Sequence, residues 1–326
     1  MSPPRGAPRR PGGGGGGGAG GGRGAPRGGG GARGGGGARG GGGARGGSRG
    51  GDGAGRARPH RPDQREPSEL GGDQVEGRRA VLELLSVGRR TVRQILLAED
   101  QDPSPQLDRI EELAARLRIP VETVPRHRLD AQARTDAPQG VLALARPIEP
   151  VTLEELCAPS RQGVQPFLLV AAGITDPRNL GALLRSAECA GVNGVVLPRH
   201  RSARLSPTVA KTAAGAIEHL RFAVVGGIPA ALSLMTDLGV WSVGLAGESS
   251  QSLYDLALGE GPIALVVGSE EKGLAPLVRR RCDAVVSIPQ HGSLPSLNVG
   301  VAGAVAAFEV ARQRGQATHR GSDRTR

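Results

Sequence analysis

Phe167-Leu-Leu-Val-Ala-Ala-Gly-Ile-Thr-Asp-Pro-Arg-Asn-Leu-Gly-Ala-Leu-Leu-Arg185 passes from an apolar strand through a polar loop into a helix. Its first six residues are an unbroken apolar run, the pattern of a strand buried on both faces. A short loop with Asp176 and Pro177 follows, and then a helical period over residues 179–190, with Asn179 placed as its N-cap. Strand, loop and helix in that order form the repeating unit of a parallel α/β sheet. Such sheets bind ligands outside the carboxyl ends of their strands.

Working outward, the alternation continues. Strands are expected at 194–197, 221–225, 240–245, 263–267 and 284–288, and helices at 207–217, 229–238 and 297–311. This predicts a largely parallel sheet covered on both faces. Upstream, a helix over 77–87, a strand over 92–98, a helix over 107–117 and strands over 120–124 and 140–145 predict a smaller α/β domain. Between the two, Thr152-Leu-Glu-Glu155 reads as a capping box opening a short helix, and the polar stretch 159–165 as the connection. The expected organisation is a tail over 1–68, a small domain over 69–147, a linker over 148–164, a large domain over 165–314 and a flexible C-terminal tail over 315–326.

Charge is distributed as unevenly as structure. Residues 1–60 hold 30 of the 55 glycines, and residues 1–68 carry 13 arginines against Asp52, Asp63 and Glu66, which is +10 of the total +11. Repeats of Ala-Arg-Gly-Gly-Gly-Gly set Arg33, Arg39 and Arg45 six apart, and no Leu, Ile, Val or Phe precedes Leu70. Without apolar area to offset chain entropy, this segment is expected to be disordered. Two readings of it stay open, salt-sensitive contact with RNA phosphates and a by-product of an arginine-biased chain. It lacks the amphipathic face of an organellar presequence, and no secretory or membrane-spanning apolar run occurs in the chain, so a cytoplasmic protein is expected. Cys157, Cys189 and Cys282 are too widely spaced for a disulfide framework or a zinc site.

Three segments carry the chemistry, each abutting an expected strand: Asn179 to Arg185, Gly268-Ser-Glu-Glu-Lys-Gly-Leu274, and Ser296-Leu-Asn-Val299. Arg185 has apolar neighbours in Leu183, Leu184 and Ala187, which puts it near a buried edge; it is either a surface arginine or a fork for a phosphate. Gly268 and Gly273 let backbone approach a ligand closely, and Glu270 can orient groups by accepting hydrogen bonds. Gly300, Gly303, Ala304, Ala306 and Ala307 leave one side of the last helix nearly flat, for a core contact or a dimer seam. G-x-G-x-x-G patterns occur only in the tail, with no strand before them, and no Walker A sequence exists, which argues against nicotinamide and ATP chemistry.

As a set, N-x-G-A-x-x-R, G-x-E-x-x-G-L and I-P-x-x-G with S-L-N-V resemble the three motifs of the SpoU/TrmH branch of the SPOUT methyltransferases, over residues 165–314. Residues 74–146 are similar to the small L30e-like RNA-binding domain that precedes the catalytic domain in the ribosomal enzymes of that branch. The resemblance implies a deep trefoil knot, one of the exceptions to the rule against knotted chains, a homodimer, and S-adenosylmethionine held by the backbone around Gly268, Ile288 and Leu297. It implies Asn179, Arg185, Glu270, Ser296 and Asn298 as the catalytic group, with Arg185 at the phosphate or ribose of the RNA. Guanidinium holds its proton far above neutral pH in water, so a neutral arginine base is costly. The sulfonium charge disappears as methyl leaves, so the acceptor oxygen needs alignment and partial proton removal, and no metal.

Glu271, Gly300 and Pro138 depart from the family pattern, where a small residue, a serine and a histidine are common. The resemblance implies 2′-O-methylation of a guanosine in the peptidyl-transferase P-loop of 23S rRNA. Alternatives are a tRNA guanosine, an rRNA adenosine of the thiopeptide-resistance type, or an RNA-binding ribosome-assembly protein without catalysis. Five aromatic residues in the chain are too few for a base-stacking platform.

Overall fold

A computed structural model describes residues 70–323, apart from 161 and 260. The expected disordered tail over 1–68 lies outside the described residues.

The chain opens with β1 (Gln74–Glu76), α1 (Arg78–Val87), β2 (Val92–Ala98), α2 (Pro105–Leu117), β3 (Val121–Val124), α3 (Arg126–Gln132) and β4 (Val141–Ala145). These strands form a four-stranded sheet in the order β1-β4-β2-β3, with β2 and β3 parallel and β4 antiparallel to both its neighbours. Alternation along β2 sends Ile95 and Leu97 under α1 and α2, and Leu96 and Ala98 toward Leu129 of α3. Ser104 starts α2 by accepting the N–H of Leu107, ahead of Pro105 at the first helical position.

After α4 (Leu153–Cys157) come β5 (Phe167–Ala171), α5 (Pro177–Cys189), β6 (Gly194–Pro198), α6 (Pro207–Thr212), β7 (Arg221–Val225), α7 (Ile228–Asp237) and β8 (Trp241–Leu245). The chain then forms β9 (Ile263–Val267), α8 (Pro276–Arg281), β10 (Ala284–Val286) and α9 (Val299–Asp323). The six strands pair in the order β10-β8-β9-β5-β6-β7, all parallel. On one face Phe167, Leu169 and Ala171 pack under α5, α6 and α9; on the other Leu168 and Val170 pack under α4, α7 and α8. The all-apolar strands are thereby explained, since both faces are covered.

Several elements differ from expectation, each for a local reason. Helix α5 starts at Pro177, because Asp176 is the cap and accepts the N–H of Arg178 at 2.8 Å; Asn179 sits inside the first turn. Helix α6 ends at Thr212, since Ala214 and Gly215 take positive φ values of 51° and 87° before a 3-10 turn at Ala216–Glu218. Strand β10 stops at Val286, three residues before Pro289. Helix α9 runs to Asp323, through the stretch expected to be a flexible tail; Glu309 braces it by bonding Arg312 and Gln313 one turn on. The 148–164 stretch is docked rather than loose. Its Thr152 capping box forms as expected, Val151 donates to the Phe222 carbonyl, and Leu153, Leu156 and Cys157 are buried.

The two sheets are locked together through a buried ion pair. Arg90 and Glu218 have side chains 8% and 2% exposed, and Arg90 also donates to the Arg146 carbonyl at 2.8 Å. Arg89 donates to the carbonyls of Glu218 and Leu220.

Candidate active site

Strands β5 and β9 are neighbours at the centre of the large sheet, yet the helices that follow them cover opposite faces. The loops after these two strands meet at the strands' carboxyl ends, the general ligand position of open α/β sheets.

Glu270, in the loop after β9, places its carboxylate at the N-terminus of α5. It accepts the N–H of Thr175 at 3.4 Å, the N–H of Asp176 at 3.1 Å and the Asn179 side-chain amide at 3.3 Å. Unpaired amides and the helix dipole both favour an anion there. Partial burial pushes the Glu270 carboxyl up, but hydrogen bonds from its own N–H, from Asp176, Asn179 and Thr175 outweigh it and hold the group below the usual range. The Asn179 carbonyl oxygen in turn accepts the Asn298 amide at 3.0 Å. Asn298 caps α9, its side-chain oxygen accepting the N–H of Gly300 at 2.9 Å and of Val301 at 3.3 Å. One hydrogen-bonded chain therefore ties together three segments, with 91 and 119 residues between partners.

Beside this chain lies a cleft of about 530 Å³, walled by the loops after β8, β9 and β10 and the approach to α9. Glu270, Gly268, Ile288, Ser296 and Leu297 all line it. Gly268 is glycine because a Cβ there would sit 2.2 Å from the Gly273 carbonyl carbon and 2.5 Å from the Leu274 nitrogen. The loop closes on itself through paired 3.0 Å bonds between Ser269 and Gly273.

Arg185 is not brought into this group. It lies six residues beyond Asn179, about 9 Å along the helix and about 120° round it, exposed and without a hydrogen bond or ion pair among the described residues. The expectation of a buried edge is corrected: the apolar neighbours turn inward and carry Arg185 outward. Ser296 is exposed at the cleft without a side-chain bond. Sequence reasoning missed the Ala246-Gly247-Glu248 wall and Lys272, although a glycine just past an apolar strand was a usable signal. The small-residue face of α9 is a core contact at Gly303, where a Cβ would lie 2.4 Å from Leu183 Cδ1. Burial pushes the thiols of Cys157 and Cys282 up to about 11, consistent with inert cysteines, while Cys189 is exposed.

The cleft suits a sulfonium cofactor. With Glu248 paired to Arg279, Glu270 and Glu271 still outnumber Lys272, which favours a cation, and Leu297 is an apolar side chain left 40% exposed, open to stacking under a flat ring.

Comparison with known proteins agrees. Residues 166–308 match the model of the SpoU rRNA methylase family, and residues 74–151 that for RNA 2′-O ribose methyltransferase substrate binding. The 23S rRNA (guanosine-2′-O-)-methyltransferase RlmB of Pseudomonas putida is 40% identical over 245 residues, covering 74% of this chain and 97% of that protein. The putative TrmH family tRNA/rRNA methyltransferase YacO of Bacillus subtilis is 36% identical, covering 74% and 96%. Among solved structures, an RNA 2′-O ribose methyltransferase superposes with a TM-score of 0.61 at 30% identity, covering 74% of this chain and 88% of that one. The SpoU methyltransferase AviRb of Streptomyces viridochromogenes, solved with AdoMet, shares the fold with a TM-score of 0.64 at 22% identity, covering 78% and 95%. The chain belongs to the SpoU rRNA methylase family. It is an RNA 2′-O-ribose methyltransferase.

Proposed function

We propose that this chain methylates the 2′-hydroxyl of a guanosine in the peptidyl-transferase P-loop of 23S rRNA. The Glu270–Asn179–Asn298 chain at the lip of the cleft carries the reading. The coverage of RlmB over almost its whole length, small domain included, supports 23S rRNA over tRNA.

S-adenosylmethionine, when bound, supplies an electrophilic methyl group. Backbone at Gly268, Ile288 and Leu297 holds its adenine and ribose. Glu270 fixes the first turn of α5, and through Asn179 and Asn298 fixes the start of α9, so that both helix ends meet the acceptor ribose in one geometry. Ser296 touches the acceptor side of the cleft. Arg185 grips a phosphate or ribose through its planar fork. The catalytic group is thus Asn179, Arg185, Glu270, Ser296 and Asn298.

The working form is a cytoplasmic homodimer. Val301 and Phe308, one heptad apart on α9, are 49% and 50% exposed, an apolar stripe suited to a second copy. Residues 165–314 form the catalytic domain and carry the trefoil knot, supported by the return of α9 onto α5 after the 288–297 segment passes the Gly268 loop. Residues 69–147 are the L30e-like substrate-binding domain, joined by residues 148–164.

Labelled S-adenosylmethionine incubated with unmodified 23S rRNA or tRNA, followed by nuclease mapping, tests the substrate. A 2′-O-methylguanosine in the 23S P-loop is expected; label confined to tRNA overturns the rRNA assignment.

A further inference from the structure

We propose that the groove between the two sheets is the track for the RNA strand flanking the methylated nucleotide, its phosphates held by Arg79, Arg134, Arg178 and Lys211. This rests on the RNA-methyltransferase reading and names a binding surface distinct from the cofactor cleft. The groove encloses about 450 Å³ between the 134–139 loop and α1 on one side and the start of α5 and the length of α6 on the other.

Four cations line it against two carboxylates, and the carboxylates are poorly placed to cancel them. Glu76 is fully buried and already accepts from the Gln74 amide at 2.7 Å, the Arg134 N–H at 2.7 Å, the Thr135 N–H at 3.1 Å and the Thr135 hydroxyl. Asp136 is almost wholly exposed and only 3.9 Å from Arg178, a contact worth little in water. Arg79 is exposed and unpaired among the described residues. Arg134 reaches Asp73 at 3.3 Å, and Lys211 donates to the Ala137 carbonyl, both with donors to spare.

Position supplies the second argument. Arg178 and Asn179 share the first turn of α5, so the groove and the hydrogen-bonded chain of the candidate site are built on one helix end, while the opposite wall of the groove belongs to the small domain. A strand laid along it connects the two. No aromatic residue lines the groove, so it grips backbone rather than stacked bases.

The chain's lysines make a direct test possible, because there are only two, Lys211 in the groove and Lys272 in the cofactor cleft. Amine-reactive labelling of the full wild-type chain, read by peptide mass spectrometry, should find Lys211 shielded by a 23S rRNA fragment and Lys272 shielded by S-adenosylmethionine. In parallel, Arg79→Gln and Arg178→Gln should each raise KM for RNA several-fold. Each should also flatten the salt dependence of RNA binding by about 0.7 in log–log slope, with cofactor affinity unchanged and Arg79→Lys restoring wild-type behaviour. Lys211 labelled equally with and without bound RNA, or an unaltered salt slope in both variants, overturns the groove while leaving the methyltransferase reading intact. A wild-type chain that transfers methyl to no RNA overturns both.

Discussion

Glu270 is a carboxylate used as a structural anion at a helix N-terminus, and its surroundings predict its behaviour. Its folded pKa lies below the ordinary 4.5, so the unfolded chain takes up the proton first as pH falls. The stabilisation it gives is therefore present above pH 4.5 and is lost as pH drops through the lower folded value. Acid titration of stability should lose this component in Glu270→Gln, measured as the difference in melting temperature between pH 7 and pH 4; identical pH profiles would exclude the helix-end role. Asn179→Ala removes one bond to that carboxylate and one to Asn298. At about 1.5–3 kcal/mol for a charge-assisted bond, single-turnover transfer should slow by about 10- to 150-fold while the chain stays folded. Arg185→Ala should abolish transfer with S-adenosylmethionine affinity preserved, and calorimetry beside a transfer assay separates the two effects.

At the level of elements, the strands were the most legible feature. Ile-Ala-Leu-Val-Val at 263–267 admits no polar face, and β9 is buried at every position. Helix starts were less so. Asn179 looked like a cap by residue type, but the Asp176-Pro177 pair was the stronger start signal, since proline favours the first helical position. Strand β1 could not be read, because the polar Gln74 and Glu76 are satisfied in burial by residues 58 and 59 positions away, Gln74 donating to the Gln132 carbonyl and Glu76 accepting the N–H groups of Arg134 and Thr135. The candidate site was legible as three segments and not as a geometry. The helical spacing of Leu180, Leu183, Leu184 and Ala187 already marks an inward stripe with Arg185 outside it, a signal that adjacency to apolar residues obscured. The loop 268–274 gives the sharpest element-scale prediction. In Gly268→Ala the new methyl meets backbone rather than a side chain that can swing away. The loop must shift, at a cost of about 1–3 kcal/mol, so cofactor affinity should fall by about 5- to 150-fold, as calorimetry would read.

For the molecule as a whole, the two sheets behave as one body because Arg90 and Glu218 are buried together. Glu218→Ala strands a buried guanidinium, and urea unfolding should register a loss of about 3–5 kcal/mol; a loss under 1 kcal/mol would mean that the sheets dock by other contacts. The basic tail acts at the same scale. Since residues 1–68 carry +10 of the net +11, deleting them should weaken RNA binding and flatten its salt dependence without moving the methylated nucleotide. An unchanged slope would make the tail a bystander. The central claim is transfer to a ribose oxygen, and one measurement meets it directly. A 23S P-loop fragment and its twin carrying a single 2′-deoxyguanosine at the target are each incubated with the full chain and labelled S-adenosylmethionine. Stoichiometric label is expected in the ribose fragment and none in the deoxy twin; equal label in both would place the methyl on the base and rule out ribose transfer.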